Sequence, residues 1–159
     1  MNTPKKTFTL IELMVVAIIV AILAAVAIPL MTGNVQRAII TEAEAALGTI
    51  RSNMRAGYSE YGEYDLIEND DGDAISDGEV AVNLRPISNT DLDGHYFSHH
   101  CYLIEAVDDD TFTLKADGTL SDDTVAPASE KVGQLEVTMD QAGTIRLSTD
   151  DGATFEDVQ

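Results

Sequence analysis

The pattern of hydrophobic and polar positions changes near residue 31. Residues 8–31 read FTLIELMVVAIIVAILAAVAIPLM, an apolar run with one carboxylate, Glu12. The uncharged part, Leu13 to Met31, predicts a helix of roughly 28 Å, enough to cross the hydrocarbon core of a bilayer. Lys5 and Lys6 precede the run, so we expect a cytoplasmic N-terminus, with the residues after about 32 on the other side.

Helical periodicity continues beyond the apolar run. Apolar residues recur at steps of three and four, with charged residues mostly between them: Val35, Ile39, Ala43, Ala46, Leu47, Ile50 and Met54. This pattern predicts one helix from about Phe8 to about Tyr58, with an amphipathic second half that packs on a globular domain. Gly62 is the expected stop, and Pro29 and Gly33 predict a kink.

The remaining residues alternate in the manner of strands after a polar, acidic connection from Asp65 to Thr90. Candidate strands lie at His95–Val107, Thr111–Ala116, Gln134–Met139, Thr144–Ser148 and Ala153–Val158. Turn formers separate them, at 108–110, 140–143 and 150–152. The pattern predicts an α+β fold in which a long N-terminal helix packs on a small antiparallel sheet of four or five strands.

Three interpretations of the apolar run compete. A removable secretory signal should be shorter and end at a small-residue cleavage site, whereas this run continues directly into the predicted helix. A plain membrane anchor explains the length and the flanking residues but not Glu12. An ionised carboxylate within a span needs a partner, and the span supplies no cation of its own.

The third interpretation rests on a resemblance. The segment KKTFTLIELMVV resembles the N-terminal signature of type IV pilins and of the related pseudopilins of type II secretion, specifically at residues 8–13, and the resemblance extends to Pro29. It implies that a prepilin peptidase cuts between Thr7 and Phe8 and that the new amino group of Phe8 is methylated. Thr7 stands where the family normally has Gly. The resemblance also implies that Glu12 pairs with the Phe8 amino group of a neighbouring subunit, so that Phe8, Glu12 and Pro29 serve assembly.

These implications give a division of the chain and a function. We expect a leader at 1–7, a transmembrane or filament-core helix at 8–31, its amphipathic half at 32–60 and an acidic β domain at 61–159. The precursor would lie in the inner membrane. The mature chain would be a structural subunit of an extracellular type IV pilus, with itself, the peptidase and the pilus or secretion assembly machinery as partners. The alternatives are a type II secretion pseudopilin and a monomeric membrane-anchored binding module.

Composition reduces the number of possible functions further. The net charge is -19, so we expect no direct nucleic-acid binding by the isolated subunit, because that needs a basic patch. Cys101 is the single cysteine, which excludes an intrachain disulfide, and we expect it to be a buried small hydrophobe in a strand. The sequence contains no nucleophile and base motif, so the prediction is that the protein is not an enzyme.

One segment suggests a metal. Asn89, Asp91 and Asp93, followed by Gly94, match the front of an EF-hand calcium loop. The twelfth position, where that loop needs a bidentate Glu, is His100. Calcium at this segment is therefore one hypothesis and a turn entering a strand is the other. No other cofactor is expected, and His95, His99, His100 and Cys101 are interpreted as structural because neighbouring strand residues point to opposite faces.

Overall fold

A long helix, α1, runs from Leu10 to Tyr61. It confirms the predicted helix and extends three residues beyond its expected end at Tyr58. The helix ends where Gly62 adopts a positive φ of 89°, and the Gly62 N–H donates to the Tyr58 carbonyl at 2.9 Å. A left-handed residue after the last turn is the conformation that favours glycine at a helix C-terminus, so Gly62 is the stop that the sequence predicts.

The computed structural model describes residues 9–69, 71–81, 84, 87–120, 132–149 and 154–157, without the side chains of 28–33, 89 and 90. The chain divides into two compact units, Met1–Ala38 and Ile39–Gln159. The predicted domain boundaries after residues 7, 31 and 60 stay predictions, and so does the kink at Pro29 and Gly33.

The second unit is built around one stripe of α1. Its buried residues, spaced three or four apart, are Ile39, Ala43, Leu47, Ile50 and Met54. They belong to one hydrophobic core with inward-facing strand residues such as Ile104, Leu114 and Val137. The predicted apolar stripe is therefore confirmed from Ile39 onward. Val35 is the exception, because it is 38% exposed and lies in the first unit.

A six-stranded antiparallel sheet completes the fold, with the strands in sequence order. The strands are β1 (Glu79–Val80), β2 (Tyr102–Val107), β3 (Phe112–Asp117), β4 (Glu136–Asp140), β5 (Ile145–Ser148) and β6 (Glu156–Asp157). The predicted α+β class, with a long N-terminal helix and a small antiparallel sheet as in pilins, is confirmed. The expected strand number is one or two too low, because β1 lies inside the predicted connection 65–90. Two residues carry no alternation to detect, and β1 exists through its pairing with β2.

The predicted strand from His95 to Val107 is wrong in its first half. A short helix, α2 (Asn89–Leu92), and a 3-10 helix at His99–Cys101 come before β2. The physical reason is that a side chain of α1 takes the backbone donors that a strand would need. The N–H groups of His95, Tyr96 and Phe97 all donate to the Glu42 carboxylate.

Candidate functional site: an exposed apolar helix and an acidic domain

The first half of α1 contains a segment long and apolar enough to cross a membrane, Leu10–Ala27, with a mean hydropathy of 3.0 and none of it buried. Large apolar side chains are exposed on every side of this segment. Leu10 at its start is 81% exposed, and Val26 near its end is 60% exposed. A helix that is apolar all round is covered by lipid or by protein, since exposed apolar surface of this extent marks an interaction site.

Glu12 closes the N-terminus of α1. Its Oε2 atom accepts hydrogen bonds from the Thr9 N–H and the Thr9 hydroxyl, each at 3.0 Å. In return, the Glu12 N–H donates to Thr9 Oγ1 at 3.3 Å. This reciprocal arrangement is a capping box, and the sequence analysis missed it. The signal was present, because a Thr followed three residues later by Glu before an apolar run is typical of a helix start.

The cap gives the Glu12 carboxylate hydrogen-bond donors within its own chain. Thr9 supplies two hydrogen bonds to the carboxylate but no positive charge, so the expectation of a cationic partner stays a prediction. Thr7 and Phe8 lie outside the described residues, and Pro29 lies within α1 with its side chain outside the description. The predicted cleavage, methylation and assembly roles therefore stay predictions.

The predicted calcium ligands have separate partners. Asp91 accepts hydrogen bonds from the Ser88 N–H at 2.9 Å and the Ser88 hydroxyl at 2.8 Å, which caps α2. Asp93 accepts one from the His99 N–H at 3.0 Å and lies 2.7 Å from His99 Nδ1. The Asn89 side chain lies outside the description. The structure accounts for both carboxylates through local hydrogen bonds, and calcium at this segment stays a prediction.

These hydrogen bonds also set the charge states of the two carboxyl groups. The bonds from Ser88 lower the pKa of Asp91. Burial alone would raise the pKa of Asp93, but the hydrogen bonds from His99 outweigh burial and leave the pKa lowered. Both groups are therefore ionised at neutral pH.

A second acidic group lies elsewhere in the domain. Carboxylate oxygens of Glu63, Asp65 and Asp109 lie within 4.8 Å of one another. The Tyr64 N–H donates to the Asp109 carbonyl at 2.9 Å, which brings the end of α1 to the turn between β2 and β3. No sequence signal pointed to this group, because Asp109 lies more than 40 residues after Glu63 and Asp65. An exposed acidic cluster does not by itself indicate a metal site.

Glu42 is the residue that positions the segment before β2. Its carboxylate accepts three backbone hydrogen bonds, from His95 at 3.0 Å, Tyr96 at 2.7 Å and Phe97 at 2.8 Å. Gly94 makes room for it, since a Cβ there would lie 2.5 Å from Glu42 Cδ. Three donors on one carboxylate form a charge-assisted clamp. We call it the Glu42 clamp.

His99 and Cys101 are buried and have hydrogen-bond partners within the fold. His99 is buried and paired with Asp93, and its ring lies 4.0 Å from that of His100. Cys101 is buried as predicted, but it belongs to the 3-10 helix and not to a strand. Its thiol donates to the Leu120 carbonyl at 3.2 Å, and burial raises the pKa of the thiol. A protonated, hydrogen-bonded thiol is a poor nucleophile and metal ligand.

Comparisons with known proteins give a partial match. Fimbrial proteins of Neisseria meningitidis serogroup B and of Neisseria meningitidis serogroup A are each 45% identical to this chain over 64 residues. The match covers 40% of this chain and 38% of the length of each fimbrial protein. No protein-family profile and no solved structure matches the chain. These matches support a pilin-like family.

Proposed function

We propose that this protein is a type IV pilin, a structural, non-enzymatic subunit of an extracellular filament that assembles through α1. The observation that carries the proposal is the wholly exposed apolar segment Leu10–Ala27. The similarity to two fimbrial proteins supports it. Before assembly lipid covers this segment, and in the filament the same segment of other copies covers it.

The proposal includes a processing step. The peptidase cuts between Thr7 and Phe8 on the cytoplasmic side, and the new amino group of Phe8 becomes methylated. Phe8 lies four residues before Glu12 in the same chain. In the filament the Phe8 amino group pairs with Glu12 of a neighbouring copy, as the resemblance implies.

The charge pair has a physical role that apolar contacts do not fill. Lipid tails are as apolar as the side chains of this segment, so leaving the membrane for a filament core gives little hydrophobic driving force. An unpaired charge inside such a core is strongly unfavourable. A carboxylate that requires one amino group therefore fixes the axial register between copies, whereas apolar packing alone permits several registers.

Two other functions agree with the same exposed segment. A type II secretion pseudopilin would use the helix in the same way in a shorter filament. A monomeric membrane-anchored binding module would use it as an anchor only. The anchored module predicts that replacing Glu12 leaves localisation and function intact, whereas both filament functions predict lost or disordered assembly.

Three substitutions separate charge pairing from helix capping. Gln also serves at the third position of a capping box, so Glu12→Gln keeps the cap and removes the charge. Thr9→Val removes the capping hydroxyl and keeps the charge. Glu12→Ala removes both functions of residue 12. The measurement is the amount of filament sheared from cells, with the amount of membrane-bound chain as reference.

We expect Glu12→Gln and Glu12→Ala to lower filament yield at least tenfold and Thr9→Val to lower it only slightly. Glu44→Gln is the matched control, because it removes one carboxylate from the second half of α1 and should leave the yield unchanged. Normal filaments from Glu12→Gln would contradict charge pairing. Normal function of every variant without any filament would favour the anchored module.

A further inference from the structure

A small polar pocket in the second unit gathers basic side chains of α1. Its volume is about 510 Å³, and it is lined by Arg51, Arg55, Tyr58, Tyr64, Asp110, Gln141 and Ala142. Arg51 and Arg55 lie four residues apart and therefore on the same side of the helix. Two guanidinium groups at one surface are notable in a chain of 28 acidic and nine basic residues.

Arg51 is fixed in place by the turn between β4 and β5. Its Nε atom donates to the Gln141 carbonyl at 2.8 Å. The turn also includes Gly143, with φ at 92°, where a Cβ would lie 3.2 Å from Arg51 Cζ. The guanidinium is thus oriented by backbone groups that carry no net charge. Its charge is not neutralised by the contact that holds it.

The two other lysine and arginine residues that the structure describes in this unit each lie beside a carboxylate. Lys115 lies 3.2 Å from Asp117 and 3.8 Å from Glu136, and Arg146 lies 3.1 Å from Asp157. Within the described part of the chain, neither Arg51 nor Arg55 has a carboxylate within 4 Å of a guanidinium nitrogen. Arg55 is also exposed to solvent.

Besides the two arginines, the pocket contains the polar side chains of Tyr58, Asp110 and Gln141. The Tyr58 hydroxyl donates to Asp110 Oδ1 at 3.4 Å, so the one acidic side chain of the pocket has a partner of its own. Gln141 Oε1 is buried and has no hydrogen-bond partner among the described residues. A single guanidinium group can bind a carboxylate or a phosphate with two parallel hydrogen bonds.

We propose that this pocket binds a carboxylate of a second copy of this chain, an inference that rests on the proposed filament. Charge complementarity identifies the occupant. Copies with a net charge of -19 repel one another when packed side by side, and each copy presents many exposed carboxylates. A guanidinium pair with no carboxylate within 4 Å among the described residues relieves that repulsion where an acidic side chain of the neighbour reaches it.

The first test compares two single substitutions in filaments of the full chain. Arg55→Gln removes a charge of the pocket, and Arg146→Gln, the matched control, removes one exposed arginine that already pairs within its own domain. The measurement is the fraction of subunits released from purified filaments at a fixed detergent concentration. We expect about tenfold more release from Arg55→Gln than from the control at low salt. The difference should vanish near 1 M salt, where charges are screened beyond about 3 Å.

The second test identifies the occupant. A photoreactive amino acid replaces Ala142, an exposed residue at the pocket, so that both arginines remain. Irradiated filaments are digested and the cross-linked peptides are sequenced. Cross-links from Ala142 to an acidic peptide of another copy support the inference.

The outcomes separate the two proposals. Filaments that form normally, release equal amounts from Arg55→Gln and Arg146→Gln, and give cross-links only within one chain overturn the pocket inference and leave the filament intact. A pocket that binds inorganic phosphate without any cross-link between copies also overturns it. A wild-type chain that forms no filament overturns the filament itself, and the inference falls with it.

Discussion

At the scale of single residues, the Glu42 clamp is the contact that joins α1 to the segment before β2. Glu42 lies in the helix and its three donors lie more than 50 residues later. The contact therefore closes a long loop of chain through one carboxylate. The hydrophobic periodicity of the sequence does not identify such a residue, because it occupies an ordinary polar position between the apolar residues of the helix.

Replacing Glu42 with Gln should destabilise the domain by about 1–3 kcal/mol. One oxygen remains to accept from Tyr96 and Phe97, but the amide nitrogen faces the His95 N–H, and the negative charge that strengthens all three hydrogen bonds is lost. Urea unfolding of the detergent-solubilised chain measures this change. Glu44→Gln is the control, since the Glu44 side chain makes no hydrogen bond within the described part of the chain, and the substitution should change the free energy of unfolding by less than about 0.5 kcal/mol. Equal effects of the two substitutions would contradict the clamp.

Tyr102 is a buried tyrosine whose hydroxyl has no partner among the described residues. Burial raises the pKa of Tyr102 strongly, and the nearby Glu42 carboxylate adds to the shift. A raised pKa means that folding favours the neutral phenol. This contribution is complete below the unfolded pKa of about 10 and is lost as the pH rises above that value.

Tyr102→Phe removes an unsatisfied buried hydroxyl. It should therefore not destabilise the domain at neutral pH, and it should raise the free energy of unfolding by up to about 1–3 kcal/mol. It should also reduce the loss of stability above pH 10. Unfolding measured at neutral and alkaline pH checks both points, with Tyr96→Phe at a half-buried tyrosine as control. A loss greater than about 1 kcal/mol at neutral pH would show that the hydroxyl is satisfied after all.

Acid sensitivity should arise from carboxylates such as Asp117. Burial would raise the pKa of Asp117, but hydrogen bonds from Thr119 and the charge of Lys115 outweigh it and lower the pKa. Because the folded pKa lies below the unfolded value of about 3.9, this stability is complete above that value. It is lost as the pH falls through the folded pKa.

The free energy of unfolding should thus be nearly constant from pH 7 to about pH 5 and decline below about pH 4. Asp117→Asn should lower stability at neutral pH and make the acid decline shallower. Asp71→Asn, at an exposed carboxylate that accepts no hydrogen bond within the described residues, should leave the decline as steep as in the wild type. Urea titrations at several pH values check this, and an unchanged slope in Asp117→Asn would refute the assignment.

At the scale of elements, two glycines of α1 have opposite roles. Gly48 lies in the helix interior, where an added Cβ would meet no atom within 4 Å. Gly62 has the same free space but a φ of 89°. Alanine favours a helix interior by about 1 kcal/mol over glycine, whereas a left-handed conformation costs a residue with a Cβ about 1–2 kcal/mol.

Gly48→Ala should therefore stabilise the chain by about 1 kcal/mol, and Gly62→Ala should destabilise it by about 1 kcal/mol or more. Each substitution is the matched control of the other, because both add one methyl group to open space. Thermal unfolding followed by circular dichroism gives both changes. The same sign for both would contradict the assignment of Gly62 as the stop of α1.

The elements also show what the sequence can predict. Periods of 3.6 and two residues are local, so the helix, its buried stripe from Ile39, and β3 to β5 followed from the pattern. The strand pairing of β1, the capture of residues 95–97 by Glu42 and the meeting of Glu63 with Asp109 are contacts between distant parts of the chain. No local pattern encodes them. The Thr9–Glu12 cap is different, since its signal, a Thr three residues before a Glu at a helix start, is local.

At the scale of the whole molecule, the chain combines an exposed apolar surface with a strongly acidic, well-hydrated one. Leu10–Ala27 is fully exposed and apolar, and the complete chain carries a charge of -19. The first surface requires lipid or protein cover, and the second keeps the domain in solvent. A filament with an apolar core and acidic domains outside satisfies both requirements, which is the central claim of the proposed function.

Intact mass and N-terminal sequencing of filaments sheared from the native cell surface test this claim most directly. The account predicts abundant filaments composed of a chain that begins at methylated Phe8, despite Thr7 before the cut. Only uncut chain that begins at Met1 and stays in the inner membrane would contradict it and would favour a membrane-anchored module.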